Sequence, residues 1–325
     1  MTEQLFKYLQ KFKTLNRGFT KNLGRAPHKP ILLLSILELI NKGTIQSNKI
    51  FITAELLLSF KNNWHKLVYT QHTSNFSLPF FHLRSEPFWS LVTKPTMELK
   101  VTKSKSIKSF KNLNEAIDFA EIDENLFLLL LNPSNRILFE EVLLNEYFPD
   151  SKANYTSNQL NDEEVKIEQQ ILNENKIKYQ RTLERLKVTL NDEGYEEELF
   201  IRGGLFKKTI PKIYNYSCCI SGMQIISKQN AQMVDACHIV PFSISNDDTI
   251  TNGLSLCPNL HRAFDRGLIT IHQDYTVQVS PTIIESDSIF SLSQFNRKKI
   301  ILPEKASWRP SPESLSWHNK EVFAC

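Results

Sequence analysis

The sequence predicts an α+β chain: a mostly helical, winged-helix-like front, an acidic helical linker, and a C-terminal part that runs strand, loop, short helix, strand. Three observations carry this. Apolar residues recur at helical spacing through the first 150 residues, with two short interruptions of strand character. Charge separates along the chain: residues 1–111 hold 18 Lys and Arg against 5 Asp and Glu, residues 112–200 hold 8 against 20, and residues 201–325 hold 13 against 10. Beyond Phe200 the texture changes to short apolar runs punctuated by Pro and Gly. The formal net charge of +4 over 325 residues is therefore a cancellation of +13, −12 and +3. The expected domains are 1–150, a linker over 151–200, and 201–325.

The elements follow in order. Leu5, Tyr8, Leu9 and Phe12 share one helical face. Arg25-Ala26-Pro27-His28-Lys29-Pro30 leads into Ile31-Leu32-Leu33-Leu34; Pro30 suits a first helical position and Gly43 a helix end. This run is apolar almost all round, which predicts a buried helix. Further helices are expected over Thr53–Leu67, Leu113–Ala120, Asp123–Leu131 and Arg136–Phe148, the last stopped by Pro149. Leu78–Leu83 and Phe88–Val92 read as short strands or a wing. Ile167, Ile171, Leu172, Tyr179, Leu183 and Leu186 predict one long helix over 160–188, with a solvated acidic face. In the C-terminal part, Pro258 and Gly267 bracket a short helix between strands.

Composition excludes several classes. With 41% hydrophobic residues the chain is neither disordered nor collagen-like. The longest apolar run, Ile31–Ile40, is too short to span a bilayer. Met1-Thr2-Glu3-Gln4 opens without an apolar stretch, so no secretory signal is expected. Five cysteines with no C-x-x-C pair argue against a disulfide framework or zinc ribbon and for a reducing, cytoplasmic setting. The basic front favours a polyanionic partner.

The residues able to do chemistry lie in the last part. His261 and Asp265 are four apart on the predicted helix and so share a face, where imidazole and carboxylate can grip one divalent metal. Asp235, three before His238 on the preceding strand, offers another oxygen. His238 is the candidate base, and Asn252 can hold the loop or orient it. Phosphodiester hydrolysis needs a base to activate water and a metal to stabilise charge.

Asp-Ala-Cys-His-Ile-Val-Pro (235–241), Asn-Gly-Leu-Ser-Leu (252–256) and Leu-His-Arg-Ala-Phe-Asp-Arg-Gly-Leu-Ile (260–269) together resemble the HNH nuclease family, over roughly Tyr214 to Phe323. The resemblance implies a ββα-metal fold with His238 as general base, His261 and Asp265 as metal ligands, Asn252 supporting the base loop, and Mg²⁺ or Mn²⁺ as cofactor. Many HNH sites carry Asp or His immediately before the base. Here that residue is Cys237, a soft ligand that suits Mg²⁺ poorly, so the third ligand is assigned to Asp235.

The front resembles a second family on the residues 25–34, Ser77-Leu78-Pro79-Phe80-Phe81-His82-Leu83-Arg84 and Pro87-Phe88-Trp89: the sulfur-binding domain of phosphorothioate-dependent restriction endonucleases. That resemblance covers about residues 1–150. It implies that His28 and Lys29 flank the modified phosphate, that Leu78, Pro79 and Phe80 line an apolar pocket, and that His82 lies near its rim; Arg25 and Arg84 are further expected DNA- or modification-binding residues. Leu78 departs from better-known members, which carry Tyr there. The combined expectation is a modification-dependent restriction endonuclease acting on double-stranded, phosphorothioated DNA. A homodimer is expected for double-strand cleavage, with no membrane involvement. A sequence-specific HNH endonuclease on unmodified DNA and a non-cleaving DNA-binding regulator remain as alternatives.

Overall fold

The computed structural model describes residues 3–97, 107–155, 162–227 and 232–323. It mixes helices with small antiparallel sheets, as an α+β chain should. The chain divides into two units: residues 1–164 with 190–201, and residues 165–189 with 202–325.

The first unit is built around α2 (His28–Asn41), which packs against α3 (Ala54–Leu67), α4 (Ser77–His82), α6 (Glu124–Leu131) and α7 (Pro133–Tyr147); α1 (Glu3–Lys13) packs on α6 and α7, and α5 (Phe110–Ala116) on α4. Every residue of α2 from His28 to Ile40 is buried, as its all-round apolar sequence requires. Its polar members are satisfied inside: Ser35 donates to the Ile31 carbonyl, and Glu38 accepts from Ser59, Asn63 and Lys42. The helix begins two residues before Pro30 and stops at Gly43, whose φ of +72° is open to glycine at little cost. Side-chain caps set the other starts. Thr53 accepts from Leu56 N–H, Asp123 from Asn125 and Leu126 N–H, and Asn132 from Ser134 N–H.

Two local expectations are corrected. Leu78–Leu83 is not a strand: Ser77–His82 is the helix α4, whose Phe80 and Phe81 are buried, as is the preceding Phe76, and Asn75 Oδ1 accepts the Leu78 N–H. Pro79 has no N–H for a ladder, whereas its fixed φ suits a first helical turn. The helix expected over Leu113–Ala120 ends at Ala116, and Ile117–Ile122 forms strand β5. That strand is the centre of a three-stranded antiparallel sheet, between β3 (Lys49–Phe51) and β4 (Trp89–Thr93). A further small pair, β1 (Phe19–Thr20) and β2 (Gly24–Arg25), precedes α2.

The single helix expected over 160–188 is two, α8 (Asp162–Asn173) and α9 (Lys176–Thr189). Its apolar residues Ile167, Ile171, Tyr179 and Leu183 are buried. Nor is the acidic stretch wholly solvated. Glu197 and Glu198, at the start of α10 (Asp192–Ile213), are 3% and 5% exposed. Glu197 accepts the Phe76 N–H and pairs with Lys61; Glu193 accepts the Phe110 N–H. These carboxylates are structural members of the first unit.

The second unit carries β6 (Asp235–His238) antiparallel to β7 (Gly253–Leu256), with α11 (Phe242–Ser245) between them. Then come α12 (Pro258–Asp265), β8 (Ile269–Ile271) paired with β9 (Val277–Val279), and α13 (Pro312–Glu321). His318 fastens α13. It stacks on Phe264 at 3.6 Å and bonds the Phe264 carbonyl and Thr270 Oγ1, and burial holds its pKa down at about 4. No helix among the described residues is long and apolar enough to cross a membrane.

Candidate functional site

Strand β6 and helix α12 bring Asp235, Cys237, His261 and Asp265 together. In the β6–β7 ladder His238 stands opposite Gly253. A Cβ at Gly253 would overlap Ile210 and touch Phe206, so the glycine lets α10 close over the strand pair. Phe206 then stacks on the His238 imidazole at 4.0 Å and 8°.

On α12, His261 faces two carboxylates from opposite ring nitrogens: Asp235 Oδ2 lies 3.3 Å from Nδ1, and Asp265 Oδ2 lies 3.4 Å from Nε2. One atom each from Cys237, His261 and Asp265 lie within 4.8 Å of one another. Cys237 is fully buried. Burial, reinforced by Asp265, pushes its thiol pKa well up, so it stays protonated and donates to Asp265 Oδ1 at 3.7 Å. A protonated soft thiol leaves the hard donors, His261 nitrogen and Asp265 oxygen, as the groups suited to a divalent cation. Both are partly exposed, which suits an ion that keeps several waters.

Asn252 is fully buried. Its amide donates to the Val240 and Asp247 carbonyls and accepts the Val240 N–H, so it pins the loop that follows His238. Sequence reasoning missed Asp248. Its Oδ1 lies 2.8 Å from His238 Nε2, and Tyr179 OH donates to its Oδ2 at 3.3 Å. The one sequence signal was a pair of acids, Asp247-Asp248, inside an otherwise polar loop.

In the first unit, a cavity of about 600 Å³ is lined by His28, Lys29, Leu78, Pro79 and His82. Of the residues expected there, Phe80 is core behind it, with its carbonyl accepting the Trp89 indole N–H. Arg25 is exposed on β2, and Arg84 lies over the Phe81 ring at 3.9 Å; neither lines the cavity. Asn16–Thr20 form a wall that the sequence reading did not anticipate. His28 lies tilted against Trp64, with ring centroids 4.6 Å apart, and bonds the Thr73 carbonyl at 3.0 Å; burial lowers its pKa to about 4, so it is neutral. The Lys29 ammonium bonds Glu86 at 2.6 Å and Ser85 at 2.8 Å. Burial draws its pKa down against the pull of Glu86. Glu86 Oε1 also accepts the Asn16 N–H at 3.0 Å. At the rim, the His82 pKa is lowered first by burial and then by the positive field of Lys29, Arg84 and Lys108.

Two antiparallel strands followed by a helix, with an imidazole on the strand and a histidine–carboxylate pair on the helix, make a ββα arrangement. Residues 218–272 match the family described as HNH endonuclease, so this segment is an HNH endonuclease domain. No curated protein matches the chain. Among solved structures, a "Modification dependent TagI restriction endonuclease" is 20% identical over 36% of this chain and 37% of its own, with a TM-score of 0.27. The chain thus spans little more than a third of that protein. The "Type IV phosphorothioation-dependent restriction endonuclease ScoMcrA" is 9% identical over 79% of this chain and 81% of its own, with a TM-score of 0.33.

Proposed function

We propose that the chain is a modification-dependent DNA endonuclease, in which the HNH domain cuts and the cavity of the first unit reads a phosphorothioate. The observation that carries the cutting role is that His238 directly follows Cys237 on β6, and Cys237 clusters with His261 and Asp265. His238 Nδ1 accepts a proton from water, the water oxygen bonds phosphorus, and the bond to the leaving deoxyribose oxygen breaks, that oxygen taking a proton from solvent. A divalent cation held by His261 and Asp265 would supply charge stabilisation on the phosphate and the leaving oxygen. Asp235, on the far ring nitrogen of His261, orients that ring; this placement moves it from the third-ligand role expected from the sequence to an outer position.

The recognition role rests on the resemblance of residues 25–34 and 77–84 and on the chemistry of the cavity. Leu78 and Pro79 offer apolar contact to a sulfur, which is larger and less hydrated than oxygen. The neutral His28 and the Glu86-paired Lys29 add little net charge to the wall, so discrimination falls to contact. The cationic field at His82 and Arg84 attracts the backbone around it. The helices and the β3-β5-β4 sheet support a winged-helix-like reading of the first unit. Two centres, hence two chains, serve a double-strand break.

Matched phosphorothioated and plain plasmids, each with Mg²⁺ or Mn²⁺, test this reading. Cutting of the modified plasmid alone is expected. Equal cutting of both overturns the sulfur assignment, and tight binding without cutting favours a regulator.

A further inference from the structure

We propose that Asp248 is the positioning residue of His238, and that Tyr179 on α9 holds Asp248 in that role. The nuclease centre then includes a side chain from outside the HNH-matched residues 218–272. This rests on the reading of His238 as the base.

Asp248 is 1% exposed, so its carboxylate has lost its water and needs partners. It has one on each oxygen: His238 Nε2 at 2.8 Å and the Tyr179 hydroxyl at 3.3 Å. An ionised carboxylate only accepts, so the imidazole proton must sit on Nε2. That leaves the Nδ1 lone pair as the acceptor for a water proton. Phe206 sets the plane of the ring by stacking, and Asp248 sets its rotation within that plane. The two contacts together fix the direction in which Nδ1 points.

Asp248 is itself held. Tyr179 is fully buried, and burial and the adjacent carboxylate push its pKa up, so its hydroxyl remains a donor. The Arg202 guanidinium lies 5.5 Å over its ring. The next residue on α9, Gln180, donates to the Ser245 carbonyl at 2.7 Å, while Asn252 grips the same loop at Val240 and Asp247. The neighbouring Asp247 is an internal contrast. It is 2% exposed and accepts the Thr249 N–H, a local bond, and among the described residues no imidazole bonds it. Burial in this loop is therefore met without a histidine at one aspartate and with one at the next.

The test uses the full chain with ¹⁵N-labelled histidine, at mildly alkaline pH and without added metal. His238 is assigned by comparison with His238→Gln. The expected spectrum shows a protonated Nε2 and a bare Nδ1 at His238, and Asp248→Asn loses that preference. In single-turnover cleavage of phosphorothioated plasmid with Mn²⁺, Asp248→Asn is expected to slow the rate about 10²-fold, with DNA affinity within about twofold. Tyr179→Phe is expected to slow it about fivefold. An Nδ1-protonated ring in the wild type overturns the proposal, as does an Asp248→Asn protein that cuts within about threefold of wild type. If Asp248→Asn does not fold, the wild-type spectrum decides. A wild type that cuts neither plasmid defeats the proposed substrate, while the spectrum still tests the positioning. Normal cutting by His238→Gln overturns the base assignment, and the inference with it.

Discussion

Each unit buries a carboxylate against a basic side chain at its site, and the two pairs leave different things open. In the first unit Glu86 meets Lys29, and the ammonium spends its donors on Glu86 and Ser85. In the second, Asp248 meets His238 through Nε2 alone, and the ring keeps a second nitrogen. A lysine so engaged is a neutral wall, suited to selecting by contact. A histidine so engaged is oriented, with one nitrogen left to accept. Under the proposed function, the same burial of opposite charges serves recognition in one place and proton transfer in the other.

Breaking the second pair at its basic member should have the largest effect. His238→Ala is expected to lower cleavage by about 10³-fold while DNA affinity stays unchanged, measured by single-turnover kinetics and fluorescence anisotropy. Breaking the first pair at its acidic member should be read in stability. Glu86→Ala strands the buried Lys29 ammonium and leaves the Asn16 N–H without its acceptor, for an expected loss of about 3–5 kcal/mol by urea denaturation. Adding Lys29→Met to that variant should restore part of the loss, since the orphaned charge is then gone.

Acid sharpens the comparison through the buried histidines, one in each unit. His28 and His318 have native pKa values of about 4, held down chiefly by burial, against about 6.5 unfolded. Between these values the unfolded chain binds more protons, so stability is full above about pH 6.5 and falls as pH drops toward 4. From pH 7 to pH 5 each histidine should remove about 2 kcal/mol, and His318→Gln should lose this dependence in the second unit. The smallest effect concerns salt. Arg25→Ala is expected to lower the salt slope of DNA binding by about one, whereas Lys29→Met, already compensated by Glu86, should leave it unchanged.

The comparison also marks what was legible in the sequence. The buried helix α2 could be read because its apolar character is continuous and its end needs a glycine. The pairing of His261 with Asp265 followed from helical spacing alone. The segment Ser77–His82 was too short to show a period, and only the packing of Phe76, Phe80 and Phe81 decides that it is a helix. Ile117–Ile122 reads as a helix end until two neighbouring strands take up its backbone bonds. Glu86 and Asp248 were not legible as site residues, because their partners lie 57 and 10 residues away and are met only through the fold. Tyr179, 69 residues from Asp248, was read as an apolar helix position. Its ring fills that role, and its hydroxyl carries the other.

The division of labour between the two units is tested most directly by binding without cutting. The His238→Ala chain, titrated against matched duplexes that differ only in one phosphorothioate, should bind the modified duplex more tightly across the whole salt range. Substituting Leu78 by Asn should reduce that preference. Equal affinity for the two duplexes at every salt concentration would contradict the assignment of recognition to the first unit's cavity.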